Sequence, residues 1–131
     1  MPYLLDTSVF LAAALAPDRL TPRAQRLLSS GSAPLFLSAA SAWEIAIKYA
    51  LGKLEIPDIP ARWVSASLLK LDAHPLDITQ RHALAVAALP YPHHDPFDRL
   101  LVAQAAMEGM TLLTTDRIFR KYPVDSLLCS A

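Results

Sequence analysis

An Asp-Pro-Phe-Asp stretch at residues 95–98 organises the second half of this chain. It precedes an alanine-rich run of helical character, Val102 to Gly109, and then Met110–Leu113, an apolar run typical of a buried strand. A Thr-Thr-Asp triplet at residues 114–116 follows that strand. One acid therefore begins a helix and another follows the next strand. In an α/β fold these two positions can meet at the carboxyl edge of a parallel sheet, where ligands bind.

Two further acids occupy comparable positions in the first half of the chain. Asp6 follows the short apolar run Tyr3–Leu5, and Glu44 ends the sequence Ser-Ala-Trp-Glu. Charged groups are almost never buried without a partner, and several carboxylates at one sheet edge would repel each other. A divalent cation removes that repulsion, and oxygen ligands without cysteine favour Mg²⁺ or Mn²⁺ over Zn²⁺. We therefore predict that Asp6, Glu44, Asp98 and Asp116 converge on a divalent metal.

Each acid also has a purely structural explanation. The Asp-Pro-Phe-Asp stretch fits the N-cap to N3 positions of a helix, where carboxylates oppose the positive end of the dipole. Glu44 can complete a capping box with Ser41, or pair with Lys48 four residues later. Asp6 and Asp116 can cap the helix and the turn that follow them. The metal hypothesis therefore depends on the conjunction of the acids rather than on any one of them.

Strand and helix patterns alternate along the chain. The predicted strands are Tyr3–Leu5, Leu35–Leu37, Leu76–Ile78, Met110–Leu113 and Val124–Cys129. The predicted helices cover about 6–15, 21–29, 38–51, 62–71, 79–88 and 95–109. This alternation favours an α/β fold of one domain over residues 1–131, with a central parallel sheet of four to five short strands and helices on both faces.

Composition limits the setting in which the chain works. Hydrophobic residues make up 53% and the mean hydropathy is +0.30, which favours an apolar surface that a partner covers. The apolar run Val9–Ala16 is too short to span a bilayer and lacks the basic start of a secretory signal. The single cysteine, Cys129, excludes an internal disulfide and fits a reducing, cytoplasmic location. With zero net charge, a pocket of acids leaves a mildly basic remainder, which suits an enzyme that acts on a polyanion.

These motifs together resemble the PIN-domain family, and more narrowly the VapC-type toxins of VapBC toxin–antitoxin pairs. The resemblance rests on Leu4–Ser8, Ser41–Lys48, Asp95–Ala105 and Leu113–Arg117, in the order and spacing of that family. It implies a PIN-like three-layer α/β/α fold and an endoribonuclease that depends on Mg²⁺, with Mn²⁺ as a substitute. It also implies that Asp6, Glu44, Asp98 and Asp116 are the catalytic, metal-binding acids.

The resemblance implies supporting roles for further residues, which are the hydroxyls of Thr7, Ser8, Thr114 and Thr115 and the helix-capping carboxylate of Asp95. Arg99 and Arg117 lie beside site acids and are candidate phosphate contacts, although surface arginines that balance local charge explain them equally well. His93 and His94 lie in a proline-rich loop, where we expect exposed side chains. The implied partners are RNA, a cognate VapB-type antitoxin and a second copy of the chain, without a membrane.

The first two helices and the helices of Trp43 and Trp63 are the candidate walls of a groove for the antitoxin, although each tryptophan could simply belong to the core. Other acidic α/β sites fit less well. A haloacid dehalogenase-type phosphatase expects a second aspartate where Ser8 stands, and a response-regulator receiver expects an acidic pair after the first strand. The alternative that stays open is a non-catalytic PIN-like module that binds RNA or protein.

Overall fold

A computed structural model describes residues 2–130 and contains one five-stranded parallel sheet in the order β3-β2-β1-β4-β5. The strands are β1 (Tyr3–Leu5), β2 (Leu35–Ser38), β3 (Ala73–Leu76), β4 (Thr111–Thr114) and β5 (Ser126–Leu128). In the register of the central strands, Leu5 lies beside Leu37 on one side and Leu113 on the other. Residues that follow these three strands therefore emerge at the same edge of the sheet.

Six α-helices flank the sheet, and most of them begin at the residues that the sequence predicts. They are α1 (Thr7–Leu15), α2 (Pro22–Ser29), α3 (Ala39–Ala50), α4 (Pro60–Leu71), α5 (Gln80–Ala85) and α6 (Pro96–Glu108). Short 3₁₀ turns cover Pro17–Arg19, Val86–Ala88 and Arg117–Lys121. Gly109 ends α6 with a φ of +65°, a left-handed conformation that glycine adopts without strain. Within residues 2–130, no helix has the length and apolarity needed to cross a membrane.

The core consists of two apolar clusters, one on each face of the sheet. Leu5 and Leu113 belong to one cluster, whereas their strand neighbours Leu4 and Leu112 belong to the other. This division follows from the two-residue period of a strand, which sends successive side chains to opposite faces. Phe10 of α1 packs in the first cluster and Leu101 of α6 in the second. The predicted three-layer α/β/α architecture is confirmed.

One local prediction is wrong, and one alternative explanation is excluded. The strand predicted at Leu76–Ile78 is instead β3, which pairs Ala73 with Leu35 at the start of β2. It contains Pro75 and lies at the edge of the sheet, where a strand tolerates proline. The capping box from Ser41 to Glu44 does not begin α3, because Ser38 caps that helix by accepting a hydrogen bond from the amide of Ala40 at 3.0 Å.

Candidate active site

The acids of the predicted site reach one edge of the sheet from four different elements. Asp6 directly follows β1, and Asp116 lies two residues beyond the end of β4. Asp98 occupies the third position of α6, and Glu44 lies on α3, the helix that follows β2. Three of these elements enter the site through the carboxyl ends of adjacent parallel strands, which is where α/β folds place their ligands.

Asp6 is buried at the centre of a hydrogen-bond network. It accepts hydrogen bonds from the amide of Val9 at 2.7 Å and from the hydroxyl of Ser8 at 2.8 Å. Its other carboxylate oxygen accepts from Thr114 Oγ1 at 2.5 Å. Burial raises the pKa of the Asp6 carboxyl above its ordinary value, and the hydrogen bond from Thr114 is the largest of the influences that oppose this. The network therefore holds one carboxylate rigidly in a poorly solvated position.

Thr114 connects Asp6 with the last acid. Its buried hydroxyl, besides donating to Asp6, accepts a hydrogen bond from the amide of Asp116 at 2.9 Å. Asp116 in turn caps the 3₁₀ turn after β4, since its Oδ1 accepts from the amide of Ile118 at 3.0 Å. Thr115 and Ser8 also meet, with 2.7 Å between their hydroxyl oxygens. Thr7 is buried at the first position of α1.

Asp98 experiences the combined charge of the site. Its pKa rises to about 7, because its partial burial disfavours the charged form and because negative charge surrounds it. The four carboxylates that raise this pKa are, in order of effect, those of Asp95, Asp6, Glu44 and Asp116. The other predicted acids therefore act electrostatically on Asp98 at this edge.

These acids do not form a ready-made metal cage. Among residues 2–130, no group of three or more His, Cys, Asp or Glu side chains lies close enough together to hold a metal ion. The Glu44 carboxylate instead lies 2.9 Å from Lys48 Nζ, and Asp116 caps its turn. The donor set consists of hard oxygen atoms, which fits Mg²⁺ or Mn²⁺. Binding by all four acids requires some of these side chains to change rotamer.

Asp95 caps α6, as predicted. Its Oδ1 accepts hydrogen bonds from the amides of Phe97 at 2.8 Å and Asp98 at 3.2 Å. Pro96 occupies the first helical position, where its missing N–H has no consequence.

We expect Asp95→Ala to lower the free energy of unfolding by about 1 kcal/mol, because two amides lose their acceptor. Asp95→Asn keeps an acceptor and removes the charge, so it should lower the pKa of Asp98 with a smaller loss of stability. Urea unfolding and an NMR titration of the Asp98 carboxyl measure the two effects. An unchanged Asp98 pKa in Asp95→Asn would contradict the electrostatic account.

The structure gives Arg99 a structural role and does not support the predicted contact with substrate phosphate. Arg99 is buried, and its Nη2 donates hydrogen bonds to the carbonyls of Val86 at 3.0 Å and Leu89 at 3.1 Å. A helix turns by about 100° per residue, so Arg99 leaves α6 in a different direction from Asp98. These hydrogen bonds hold the segment that follows α5 in place. Arg117 is exposed on the turn that Asp116 caps, and its contact with phosphate stays a prediction.

The aromatic residues near the acids were only partly anticipated by the sequence. Trp43 is 61% exposed and packs edge-to-face on Phe97, with 5.2 Å between the ring centres. His93 is exposed as predicted, but His94 is half-buried and its Nδ1 lies 2.9 Å from the hydroxyl of Tyr122. Sequence reasoning missed Tyr91 and Tyr122. The Pro-Tyr-Pro sequence at residues 90–92 is the one local signal that could have drawn attention to the first of them.

Comparison with known proteins identifies the family. The PIN domain family profile matches residues 3–125. The chain belongs to the PIN-domain family. Part of this PIN domain is 46% identical over 48 residues to Ribonuclease VapC16 of Mycobacterium tuberculosis, a match that covers 37% of this chain. The matched part spans about a third of that relative, or 34% of its length.

Solved structures share the fold over nearly all of this PIN domain. VapBC2 from Rickettsia felis, solved with a DNA fragment from its promoter, superimposes with a TM-score of 0.74 at 17% identity. That alignment covers 99% of this chain and 100% of the other. A toxin–antitoxin complex from Klebsiella pneumoniae gives a TM-score of 0.62 at 18% identity, with 92% of each chain covered. At such identities the similarity establishes the common fold.

Proposed function

We propose that this PIN domain is a metal-dependent endoribonuclease and the toxin of a type II toxin–antitoxin pair. The observation that carries the proposal is the crowding of carboxylates around the partly buried Asp98 at the carboxyl edge of the sheet. Burial first, and then the charges of these carboxylates, raise the pKa of Asp98 to about 7. Such a concentration of negative charge is unfavourable in the metal-free protein and is relieved by a bound cation. The name of the relative, Ribonuclease VapC16, supports RNA as the substrate.

The roles of the residues in this proposal follow from their positions. Asp6, Glu44, Asp98 and Asp116 would hold Mg²⁺ or Mn²⁺, which, when bound, lowers the pKa of a water and neutralises charge on the phosphate. Because the pKa of Asp98 is about 7 in the metal-free chain, a bound cation would favour the charged form that can serve as a ligand. Thr114 orients Asp6 through its hydrogen bond, and Ser8 supports the same carboxylate. The exposed Arg117 lies where it can contact a substrate phosphate.

The proposed antitoxin has a candidate docking surface away from the acids. A cavity of about 1000 Å³ is lined by residues of α1, α2 and α4. It includes Leu35 at the start of β2, and so lies toward the opposite end of the strands from the acids. Its walls combine apolar side chains such as Leu20 and Leu28 with the cations Arg26 and Lys70. This composition suits an amphipathic segment that carries acidic residues.

This cavity differs from the expected groove in two respects. The Trp43 helix, α3, contributes nothing to the lining of this cavity. Trp63 belongs to α4 but is buried in the core, with its ring centre 5.8 Å from that of Phe10. Both tryptophans therefore lie outside the cavity, for opposite reasons: one is exposed near Glu44 and the other is part of the hydrophobic core.

RNA cleavage by the purified protein tests the proposed activity. We expect cutting of total RNA with Mg²⁺ or Mn²⁺, none with EDTA, and none by Asp6→Asn in either metal. Fragments should carry 5′-phosphate and 3′-hydroxyl ends, since water is the attacking group. Titration calorimetry with Mn²⁺ supplies a second readout that does not require the correct RNA. Neither cleavage nor metal binding by the wild-type protein would favour the non-catalytic binding module instead.

A further inference from the structure

Three aromatic rings form a cluster beside the acidic edge, and we call it the aromatic platform: Tyr91, His94 and Tyr122. The rings of Tyr91 and His94 are stacked, with 5.0 Å between their centres and 14° between their planes. Tyr122 meets Tyr91 edge-on at 5.6 Å, and its hydroxyl lies 2.9 Å from His94 Nδ1. Tyr122 is buried and His94 half-buried, so the Tyr91 ring packs against two rings that the rest of the protein holds in place.

Tyr91 combines exposure with an unusual backbone. Its φ is +58°, a left-handed conformation that bulky L-residues rarely adopt. Its side chain is nevertheless 42% exposed, so the strain does not serve to bury the ring. Strained residues of this kind cluster at ligand sites, where the surrounding structure holds them in place. The loop therefore presents a rigid aromatic ring to solvent rather than packing it into the core.

The platform is continuous with the acids along both segments of chain that form it. His94 directly precedes Asp95, which caps the helix that carries Asp98. Tyr122 ends the 3₁₀ turn that Asp116 begins. Arg99, one residue after Asp98, holds the start of the loop through the carbonyl of Leu89. A ligand at the acids and a ligand on Tyr91 would therefore be neighbours.

Positive charge surrounds the exposed ring. Arg117, Arg120 and Lys121 are all exposed on the turn between Asp116 and Tyr122, and residues 117–122 contain no acid. The ammonium group of Lys121 lies over the Tyr91 ring, 6.0 Å from its centre, so a base that stacks there would displace this mobile side chain toward the neighbouring phosphates. An exposed aromatic ring with one cation over it and two more on the same turn, next to an acidic edge, is the arrangement expected for a nucleotide whose base stacks and whose phosphates are neutralised.

We propose that Tyr91 stacks on an unpaired base of the RNA substrate next to the cleaved phosphate, while Lys121 and Arg120 contact the flanking phosphates. This inference rests on the proposed ribonuclease function and assigns Tyr91 as the residue that holds an unpaired base beside that site. Bases within a duplex have both faces covered by their neighbours, so they cannot occupy the ring. His94 and Tyr122 act as positioning residues that keep the Tyr91 ring in place.

Binding of short single-stranded RNA to the uncleaving variant Asp98→Asn measures the stacking directly. In that background we expect Tyr91→Leu to weaken binding at least about tenfold and Tyr91→Phe to change it little, since stacking needs a ring and not a hydroxyl. The matched control is Tyr49→Leu, because Tyr49 is similarly exposed, at 38%, but lies in the last turn of α3. Equal affinities for Tyr91→Leu and the Tyr49 control would overturn the inference.

RNA that lacks a single base gives a second test, in which the base and the Tyr91 ring are removed separately and together. Removing the base at one position should weaken binding by about as much as Tyr91→Leu does, and combining the two changes should add little. If the losses of binding from base removal and from Tyr91→Leu add fully at every position of the RNA, the inference is also overturned. If wild type cuts RNA in a metal-dependent way, yet the losses from base removal and from Tyr91→Leu add fully, the stacking proposal fails and the proposed function stands. If wild type neither cuts RNA nor binds metal, the proposed function itself fails.

Discussion

Replacing Asp98 by asparagine is expected to slow RNA cleavage by about 10³-fold or more, because the site loses several kcal/mol of electrostatic stabilisation of the metal and the transition state. Asparagine keeps the size of the side chain and its place at the third position of α6, but carries no charge. The single-turnover cleavage rate at saturating Mn²⁺ measures the effect. Cleavage at the wild-type rate would remove Asp98 from the active site.

The same substitution should stabilise the metal-free protein near neutral pH. The pKa of Asp98 is about 7 in the folded chain against an ordinary value of 3.8. Between these two values the folded protein binds more protons than the unfolded chain, so the contribution of Asp98 to stability falls as pH rises. A shift of this size in a fully buried group would correspond to about 4 kcal/mol. Because Asp98 is partly exposed, solvent screening reduces this to about 1–2 kcal/mol.

Thermal unfolding in the presence of a chelator at pH 5 and pH 8 tests whether the contribution of Asp98 to stability falls as pH rises. Wild type should lose more stability than Asp98→Asn across that interval, because the variant lacks the contribution of Asp98 while Asp6, whose pKa is also raised, is present in both proteins. Added Mn²⁺ should restore stability to wild type at pH 8 and do little for the variant. Asp18→Asn is the matched control, because Asp18 is exposed beyond the far end of α1 from Asp6. Parallel pH profiles for wild type and Asp98→Asn would contradict the assignment.

Thr114→Val is expected to have the second large effect, since it removes a hydroxyl from a buried site without changing the shape. Asp6 would lose the hydrogen bond that Thr114 donates, and the amide of Asp116 would lose its acceptor. Leaving buried polar groups without partners should lower the free energy of unfolding by about 2 kcal/mol. Loss of a group that orients a metal ligand should weaken metal affinity by about 10–100-fold.

Urea unfolding and Mn²⁺ titration measure these two consequences separately. The matched control is Thr115→Val, the same substitution one residue later, where the hydroxyl is only partly buried and meets Ser8 rather than Asp6. The control should lose less of both properties. If Thr114→Val bound Mn²⁺ as tightly as wild type and lost only stability, Thr114 would serve the fold and not the site.

The elements that begin with a clear capping residue could be predicted from the sequence. Thr21 before Pro22, and Asp95 before Pro96, both mark helix starts that the structure confirms. Such signals are reliable because an N-cap satisfies backbone amides only two or three residues away. The apolar run after Gly109 likewise became β4.

The errors fall where distant parts of the chain decide the outcome. Strand β3 lacks a strong apolar pattern, and it forms because β2 offers an edge on which Ala73–Leu76 can pair. Arg99 turns to the carbonyls of Val86 and Leu89, although its neighbour Asp98 faces the acidic edge. Neither result depends on adjacent residues, so local patterns contain no reliable signal for them.

The sequence by itself determined the alternation of strands and helices, the PIN-type order of the acids and the caps that begin α1, α2, α5 and α6. These properties depend on residue type and on spacing within a few positions. Only the tertiary structure decided that Thr114 supports Asp6 across 108 residues, and that Tyr91 and Tyr122 meet beside the acids. These contacts follow from the strand order and from side-chain direction, both of which are set by packing the whole chain around one sheet.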